Sequence, residues 1–84
     1  MNTAPALIFV IEDELSIARL VQSVLVEFGF EVECFHTGAS ALRRLAVRRP
    51  DLCITDLGLP DMDGIDLVRQ ISQQCHCGLL ILSG

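Results

Sequence analysis

The sequence predicts the α/β fold class, with a parallel sheet that carries helices on both of its faces. Short apolar runs alternate along the chain with stretches in which apolar residues recur every three or four positions. This alternation is typical of strand–helix–strand units with right-handed crossovers. A length of 84 residues, 51% of them hydrophobic, suits one small domain whose strands are covered on both faces.

The first strand and the first helix are predicted in the first third of the chain. Residues 7–11 form an apolar run that is too short and too uniform for a surface helix. A helix is predicted over residues 15–28, with Asp13 capping its start and Gly29 ending it in a left-handed conformation. Its predicted inner face consists of Ile17, Leu20, Val21, Val24, Leu25 and Phe28.

An edge strand and a second helix are predicted next. Residues 30–35 alternate between apolar and polar side chains, as a half-exposed strand at the edge of a sheet does. Thr37 and Gly38 lead into the second helix, which we expect Pro50 to close. The predicted inner residues of this helix are Ala39, Leu42, Leu45 and Ala46.

The remaining elements are a strand at residues 51–55, a helix from about 65 to 73 and a strand at 79–82. Glycine and proline residues mark the intervening segment 56–64 as a loop. The third helix is predicted to turn Ile65, Val68 and Ile71 inward. We interpret Asp61 and Asp63 as solvated loop acids and assign no chemical role to His36.

The charge pattern argues against direct binding of nucleic acid. The net charge is −5, and all six cations are arginines, because the chain contains no lysine. We interpret the arginines near the end of the second helix as a solvated face: Arg43, Arg44, Arg48 and Arg49.

No apolar stretch approaches the roughly 20 residues of a membrane span. The first six residues also lack the basic start of a signal peptide, so a cytoplasmic location away from the membrane is expected.

The four cysteines are predicted to be reduced thiols, since nothing else in the sequence indicates secretion. Cys75, His76 and Cys77 could suggest a zinc site. Adjacent ligands cannot easily surround one tetrahedral ion, however, and no CxxC pair accompanies them. We therefore predict an ordinary loop at these residues.

Oxygen-bearing side chains follow three of the apolar runs. Glu12 and Asp13 come after the first run, Asp56 after the third and Ser83 after the last. The carboxyl ends of parallel strands meet at one edge of a sheet, so these side chains are expected to converge. Crowded carboxylates either hold a divalent cation or keep a proton, and hard oxygen ligands favour Mg²⁺. Taken singly, the acids could instead be helix-start or strand-end caps, and the serine a turn residue.

Three motifs together resemble the receiver domain of two-component response regulators. They occupy residues 11–14 (IEDE), 55–64 (TDLGLPDMDG) and 82–84 (LSG), in the order and spacing of that family. The resemblance covers essentially the whole chain. It implies a flavodoxin-like sheet of strand order 2-1-3-4 that lacks the last helix, strand and helix of the full receiver fold. Residues 1–84 are accordingly interpreted as a single receiver domain, truncated at its C-terminus.

The resemblance also implies a function. Asp56 would accept a phosphoryl group from a sensor histidine kinase or a phosphotransfer protein, which makes the chain a signalling domain rather than an enzyme. Asp13 and Asp56 would bind Mg²⁺ directly, Glu12 largely through a water, and Gly58 through its backbone carbonyl. Ser83 would hydrogen-bond the phosphoryl group.

The chain departs from the family pattern at its C-terminal end. The family's fifth strand carries a lysine that pairs with the phosphoryl group, and a chain without lysine cannot supply it. Without that strand the apolar fourth strand becomes an edge, and part of one sheet face is left bare beside the first helix. We therefore predict either self-association through that edge or face, or a fragment of a longer protein.

Two other functions remain open. The chain could be a truncated receiver scaffold that is not phosphorylated and serves only for dimerisation or docking. A phosphatase with an aspartyl nucleophile is less favoured, because such enzymes place a second acid two residues after the first, where this chain has Gly58.

Overall fold

The computed structural model describes residues 4–82 and contains alternating strands and helices, as predicted. The elements are β1 Leu7–Ile11, α1 Leu15–Glu27, β2 Glu31–Phe35, α2 Gly38–Leu45, β3 Leu52–Asp56, α3 Gly64–Gln74 and β4 Gly78–Leu82. Among these residues, no helix has both the length and the apolar character needed to span a membrane.

The four strands form one parallel sheet in the order β2-β1-β3-β4, which confirms the predicted order. At the carboxyl edge, Ile11 of β1 is paired with Phe35 on one side and with Thr55 on the other. Asp56, the last residue of β3, is paired with Leu82 of β4. The residues that follow β1 and β3 therefore emerge next to each other.

The larger part of the core lies between the sheet and the helices α2 and α3. Phe9 of β1 is 1% exposed, and its ring packs edge-on against Phe35, with the ring centroids 4.8 Å apart. Other buried members of this core are Leu45, Cys53, Leu67 and Ile71. Helix α1 covers the opposite face over a smaller cluster formed by Ile8, Val10 and Ile54.

The predicted inner face of α1 is mostly wrong. Only Val21 and Leu25 of the six predicted residues pack on the sheet, and the buried residue of this helix is Ala18. Leu20 is 65% exposed and Phe28 is 77% exposed. The physical reason is that α1 lies over β1 and β2, so that its outer side has no element against it within residues 4–82.

The face of the sheet beside α1 is partly uncovered, as the sequence predicts. Leu80 of β4 is the register partner of Ile54, so it projects from the same face, and it is 51% exposed. Ile81, on the other face of β4, is 43% exposed. The open edge of the sheet at β4 is therefore apolar and carries no charged side chain.

The helix ends differ from the predictions at several points. Glu14, and not Asp13, occupies the position before α1, and no side chain of residues 4–82 caps that helix start. Gly29 ends the region with a φ of 92°, as predicted. Helix α2 ends at Leu45, well before Pro50, and Ala46 is exposed.

Helix α3 begins at Gly64, and its first turn differs from the predicted inner face. Ile65 is 53% exposed, whereas Leu67 and Ile71 are buried. Asp63 caps this helix by accepting a hydrogen bond from the backbone N–H of Ile65 at 2.8 Å. Asp63 is exposed, as predicted, but the sequence interpretation missed its role as a helix cap.

Two of the four clustered arginines form ion pairs rather than a purely solvated face. Arg44 contacts Glu33 at 2.8 Å, and Arg48 contacts both Glu31 at 2.7 Å and Glu33 at 2.6 Å. The hydrogen bond from Arg44 is the main cause that lowers the pKa of Glu33. These charges line β2, the other edge of the sheet, where charged side chains discourage pairing with another strand.

All four cysteines lie in the described part of the chain and are free thiols. Cys53 and Cys77 are neighbours, with their sulfur atoms 3.8 Å apart. Burial raises the pKa of Cys53, which makes this thiol unreactive at neutral pH.

Candidate functional site

Three carboxylates meet at the carboxyl edge of the sheet. They belong to Glu12 and Asp13, which follow β1, and to Asp56, which ends β3. One carboxylate oxygen from each of these residues lies within 4.8 Å of the other two. The pairing of Ile11 with Thr55 causes this convergence, because the next residue of each chain segment then lies beside the other.

Glu12 is the buried member of the cluster and is only 4% exposed. Its backbone N–H donates to the carbonyl of Phe35 at 2.9 Å, and its carboxylate accepts the N–H of Glu14 at 3.1 Å. Burial raises the pKa of Glu12, and the neighbouring Asp13 and Asp56 raise it further. A bound cation would offset the free-energy cost of keeping the buried Glu12 carboxylate charged beside two other acids.

Asp13 and Asp56 are more accessible than Glu12. Asp13 is exposed, whereas Asp56 is half-buried and accepts a hydrogen bond from the N–H of Gly58 at 3.1 Å. A Cβ atom added at Gly58 would lie 3.7 Å from the nearer carboxylate oxygen of Asp56. The space next to this carboxylate is therefore open, and a long side chain at position 58 would overhang it.

A cleft of about 630 Å³ contains the three carboxylates and opens to solvent. Its acidic wall is continued by Glu14, and its apolar wall is formed by Ile17, Val21 and Leu82. Such a cleft has room for a small anionic group beside the carboxylates, provided that their charge is neutralised.

The loop that follows Asp56 is fixed by Asp61, which the sequence interpretation treats as a solvated acid. The carboxylate of Asp61 accepts the N–H of Gly38 at 2.9 Å and that of Ala39 at 3.0 Å. These two bonds lower the pKa of Asp61, although the residue itself is exposed. Asp61 thus caps the start of α2 and ties it to the loop beside the acidic cluster.

Close packing also shapes this loop at Gly64. A Cβ atom at that position would lie 2.5 Å from the Cα of Leu57, so only glycine fits without a shift of the backbone. The proposed site residue Ser83, like Gly84, lies outside the described residues. Leu82, which precedes Ser83, lines the cleft.

A four-stranded parallel sheet of order 2-1-3-4, with acidic residues meeting where β1 and β3 end, defines a receiver-type domain. Residues 8–84 match the family described as the response regulator receiver domain. The chain belongs to this family, whose members are signalling domains.

Relatives with similar sequences are response regulators. The chain is 42% identical over 77 residues to the transcriptional regulatory protein KdpE of Mycobacterium tuberculosis. It is 38% identical over 76 residues to the KDP operon transcriptional regulatory protein KdpE of Escherichia coli. These matches cover 92% and 90% of this chain but 34% of each relative, so the chain spans about a third of their length.

Solved receiver domains share the fold. The CheY-like receiver domain from Methylobacillus flagellatus superposes with a TM-score of 0.89 at 26% identity, over 95% of this chain and 70% of that one. The receiver domain of the TMAO respiratory system response regulator TorR gives 0.87 at 28% identity, over 95% of this chain and 67% of that one. The predicted fold is therefore confirmed.

Proposed function

We propose that Asp56 accepts a phosphoryl group from a phosphohistidine of a sensor histidine kinase or phosphotransfer protein, in a reaction that depends on Mg²⁺. The observation that carries this proposal is the cluster formed by Glu12, Asp13 and Asp56, in which one acid is buried. The proposal treats residues 1–84 as one receiver unit in the cytoplasm that acts in signalling and not as an enzyme on a separate substrate.

The proposed transfer is a displacement at phosphorus. A carboxylate oxygen of Asp56 forms a bond to the phosphorus atom while the bond from phosphorus to the histidine nitrogen breaks. The imidazole leaves as a neutral ring that keeps a proton on its other nitrogen. An open approach to the attacking oxygen is needed, and the half-buried Asp56, which lines a cleft that opens to solvent, is suited to it.

The donor set fits Mg²⁺, because carboxylate oxygens are the ligands that this hard cation prefers. We propose that Asp13 and Asp56 bind the ion directly, that Glu12 acts largely through a water, and that the backbone carbonyl of Gly58 supplies a further oxygen. When bound, the ion neutralises the repulsion between the Asp56 carboxylate and an incoming phosphoryl group.

Ser83 is proposed to hydrogen-bond the phosphoryl group, as the resemblance implies. The sequence contains no lysine, so the phosphoryl charge lacks a compact ammonium partner within these 84 residues. We therefore expect phosphorylation of this segment to be slow.

A second candidate function is a dimerisation or docking scaffold, which the uncovered apolar surface favours. Leu80 at the β4 edge is 51% exposed, and Leu20 on α1 is 65% exposed. We propose that an isolated segment of this sequence self-associates through that edge or face. Direct binding of nucleic acid is not part of either proposal, since the net charge is −5.

The decisive experiment is intact-mass analysis after incubation with acetyl phosphate, with and without Mg²⁺. The proposal predicts the addition of one phosphoryl group in the presence of Mg²⁺, and its loss in Asp56→Asn. Asp66→Asn is the matched control, because Asp66 is an exposed acid of α3 outside the cleft. Folded protein that gains no mass would contradict the phosphoacceptor proposal.

Binding of Mg²⁺ separates the two candidate functions. Titration followed by two-dimensional amide NMR is expected to shift the signals of Glu12, Asp13 and Asp56. A pure scaffold predicts no shift at these residues beyond the general effect of salt.

A further inference from the structure

His36 contacts the acidic cluster although the sequence gives no indication of it. This residue lies between β2 and α2, and its Nδ1 atom is 3.0 Å from the backbone carbonyl oxygen of Glu12. A carbonyl oxygen only accepts hydrogen bonds, so Nδ1 must carry the proton in this contact. The carbonyl belongs to the peptide group that joins Glu12 to Asp13.

The contact extends the hydrogen-bond ladder between β1 and β2 by one rung. The last backbone rung at this end is the bond from the N–H of Glu12 to the carbonyl of Phe35, at 2.9 Å. The next donor in a parallel ladder would be the N–H of Thr37. The chain turns away there, since Thr37 caps α2 by accepting the N–H of Ser40. Within residues 4–82 the carbonyl of Glu12 receives the imidazole N–H instead of a backbone N–H.

Glu12 is thereby held at three points: its N–H by Phe35, its carbonyl by His36, and its carboxylate by the N–H of Glu14. The peptide group between Glu12 and Asp13 links the Cα atoms of both residues, so its orientation affects how their carboxylates lie relative to each other and to Asp56. A buried carboxylate beside two other acids is repelled from its place, so the backbone that carries it needs a firm anchor.

We propose that His36 is a positioning residue, whose Nδ1–H fixes the peptide group between Glu12 and Asp13 so that both carboxylates face Asp56. This inference rests on the proposed Mg²⁺ site at the cluster. Partners that orient metal ligands typically change metal affinity by about 10–100-fold when they are removed. His36 is exposed and acts on the backbone and not on a carboxylate, so a smaller effect is expected.

The test compares variants at position 36 by Mg²⁺ titration. His36→Ala removes the donor and is expected to weaken Mg²⁺ binding by roughly three- to tenfold. The amide nitrogen of an asparagine lies as many bonds from Cα as Nδ1 does, so His36→Asn is expected to restore binding to within about twofold of the original. In His36→Gln the donor is displaced by one carbon, and the affinity is expected to resemble that of His36→Ala. His76→Ala is the matched control, since His76 is an exposed histidine before β4.

A second readout does not depend on the metal. The carbonyl ¹³C shift of Glu12 and the amide ¹⁵N shift of Asp13 in metal-free protein report the hydrogen bond itself. Both are expected to move in His36→Ala and to stay near their original values in His36→Asn. If the original chain binds no Mg²⁺, the proposed function fails, and these shifts still decide whether His36 holds the peptide group.

Four results would overturn the inference, and three of them concern Mg²⁺ binding and the NMR shifts. These are unchanged Mg²⁺ affinity in His36→Ala, failure of His36→Asn to do better than His36→Gln, or unaltered shifts at Glu12 and Asp13 when the imidazole is removed. A general loss of stability without a change at the cluster would also overturn it, and urea unfolding of each variant measures that loss.

Discussion

Replacement of Glu12 with glutamine is expected to stabilise the metal-free protein at neutral pH. Burial raises the pKa of this carboxyl from its ordinary value of 4.5, so the folded protein holds the proton more tightly than the unfolded chain does. The contribution of this bound proton to the free energy of unfolding is fully present when the pH is below the ordinary pKa of 4.5. It is lost as the pH rises through the raised pKa of the folded protein. Glutamine stays neutral at every pH, and its side-chain oxygen can still accept the N–H of Glu14.

The size of the effect follows from the geometry of the cluster. The carboxylate oxygens of the three acids lie within 4.8 Å of one another. Two unit charges 4.8 Å apart repel by roughly 3 kcal/mol when the effective dielectric constant is about 20. Asp13 is exposed and Asp56 is half-buried, so solvent and salt screen part of this repulsion. We expect the free energy of unfolding to increase by about 1–2 kcal/mol in Glu12→Gln.

Urea unfolding in the presence of a chelator measures this gain, at neutral pH and in mild acid. The difference between the two proteins is expected to shrink in acid, where Glu12 is protonated. Added Mg²⁺ is expected to reverse the order, because a ligand at 100 times its dissociation constant stabilises the folded state by about 2.7 kcal/mol. Glu27→Gln, which alters an exposed acid at the end of α1, is the control. A destabilised Glu12→Gln protein at neutral pH, or a gain that does not change with pH, would refute the reasoning.

Three further predictions concern the loop and the open edge. Gly64→Ala is expected to lower the free energy of unfolding by about 1–3 kcal/mol in urea unfolding, because the added Cβ atom would collide with the backbone of Leu57. Gly58→Ala, whose added Cβ atom would make only ordinary contacts, is expected to be nearly neutral in the same measurement. Asp61→Asn is expected to lower the thermal midpoint at neutral pH and not in strong acid, because the lowered pKa means that its contribution disappears as the pH falls; equal losses at both pH values would contradict this. Leu80→Lys is expected to reduce self-association in sedimentation velocity, because a charge at the open edge of the sheet opposes pairing with another strand. Val47→Lys, at another exposed apolar residue, is the control. An unmutated chain that is monomeric at every concentration would refute the proposed association.

The strands and the convergence of the acids could be predicted from sequence because both depend on simple rules. An apolar run of five residues identifies a covered strand, and parallel strands end at one edge of the sheet. The observed pairing of Ile11 with Thr55 is sufficient to place Glu12 beside Asp56. No long-range side-chain contact was needed for this part of the prediction.

The orientation of α1 could not be predicted in the same way. Periodicity identifies a helix and its apolar side, but the residues that become buried depend on which elements pack around the helix. Helix α1 has apolar residues over a broad arc, and the sheet covers only the part that contains Ala18, Val21 and Leu25. Leu20 and Phe28 follow the same spacing and remain exposed.

Contacts between distant residues were also beyond prediction. The contact of Asp63 is local by comparison: this residue stands directly before its helix and could have been recognised as a cap from that position alone. Asp61 caps a helix start that lies 23 residues earlier, and His36 reaches a carbonyl 24 residues earlier. Neither contact leaves a signal in the neighbouring sequence, because each depends on how two loops meet above the sheet. Asp61 joins the β3–α3 loop to the start of α2, and His36 joins the β2–α2 loop to the β1–α1 loop.

The alternative is that Glu12 and Asp13 serve only to stabilise the start of α1. The positions of their side chains weaken this alternative. A helix-start role predicts acids in the first turn or a side-chain cap, and in the described part of the chain α1 has neither. The Glu12 carboxylate is instead buried beside two other acids, an arrangement that costs stability in a small domain. An uncharged side chain at this position would avoid the cost, so the arrangement is best explained by a process that needs concentrated negative charge. Binding of a hard divalent cation is such a process, and it is the one that the donor atoms fit.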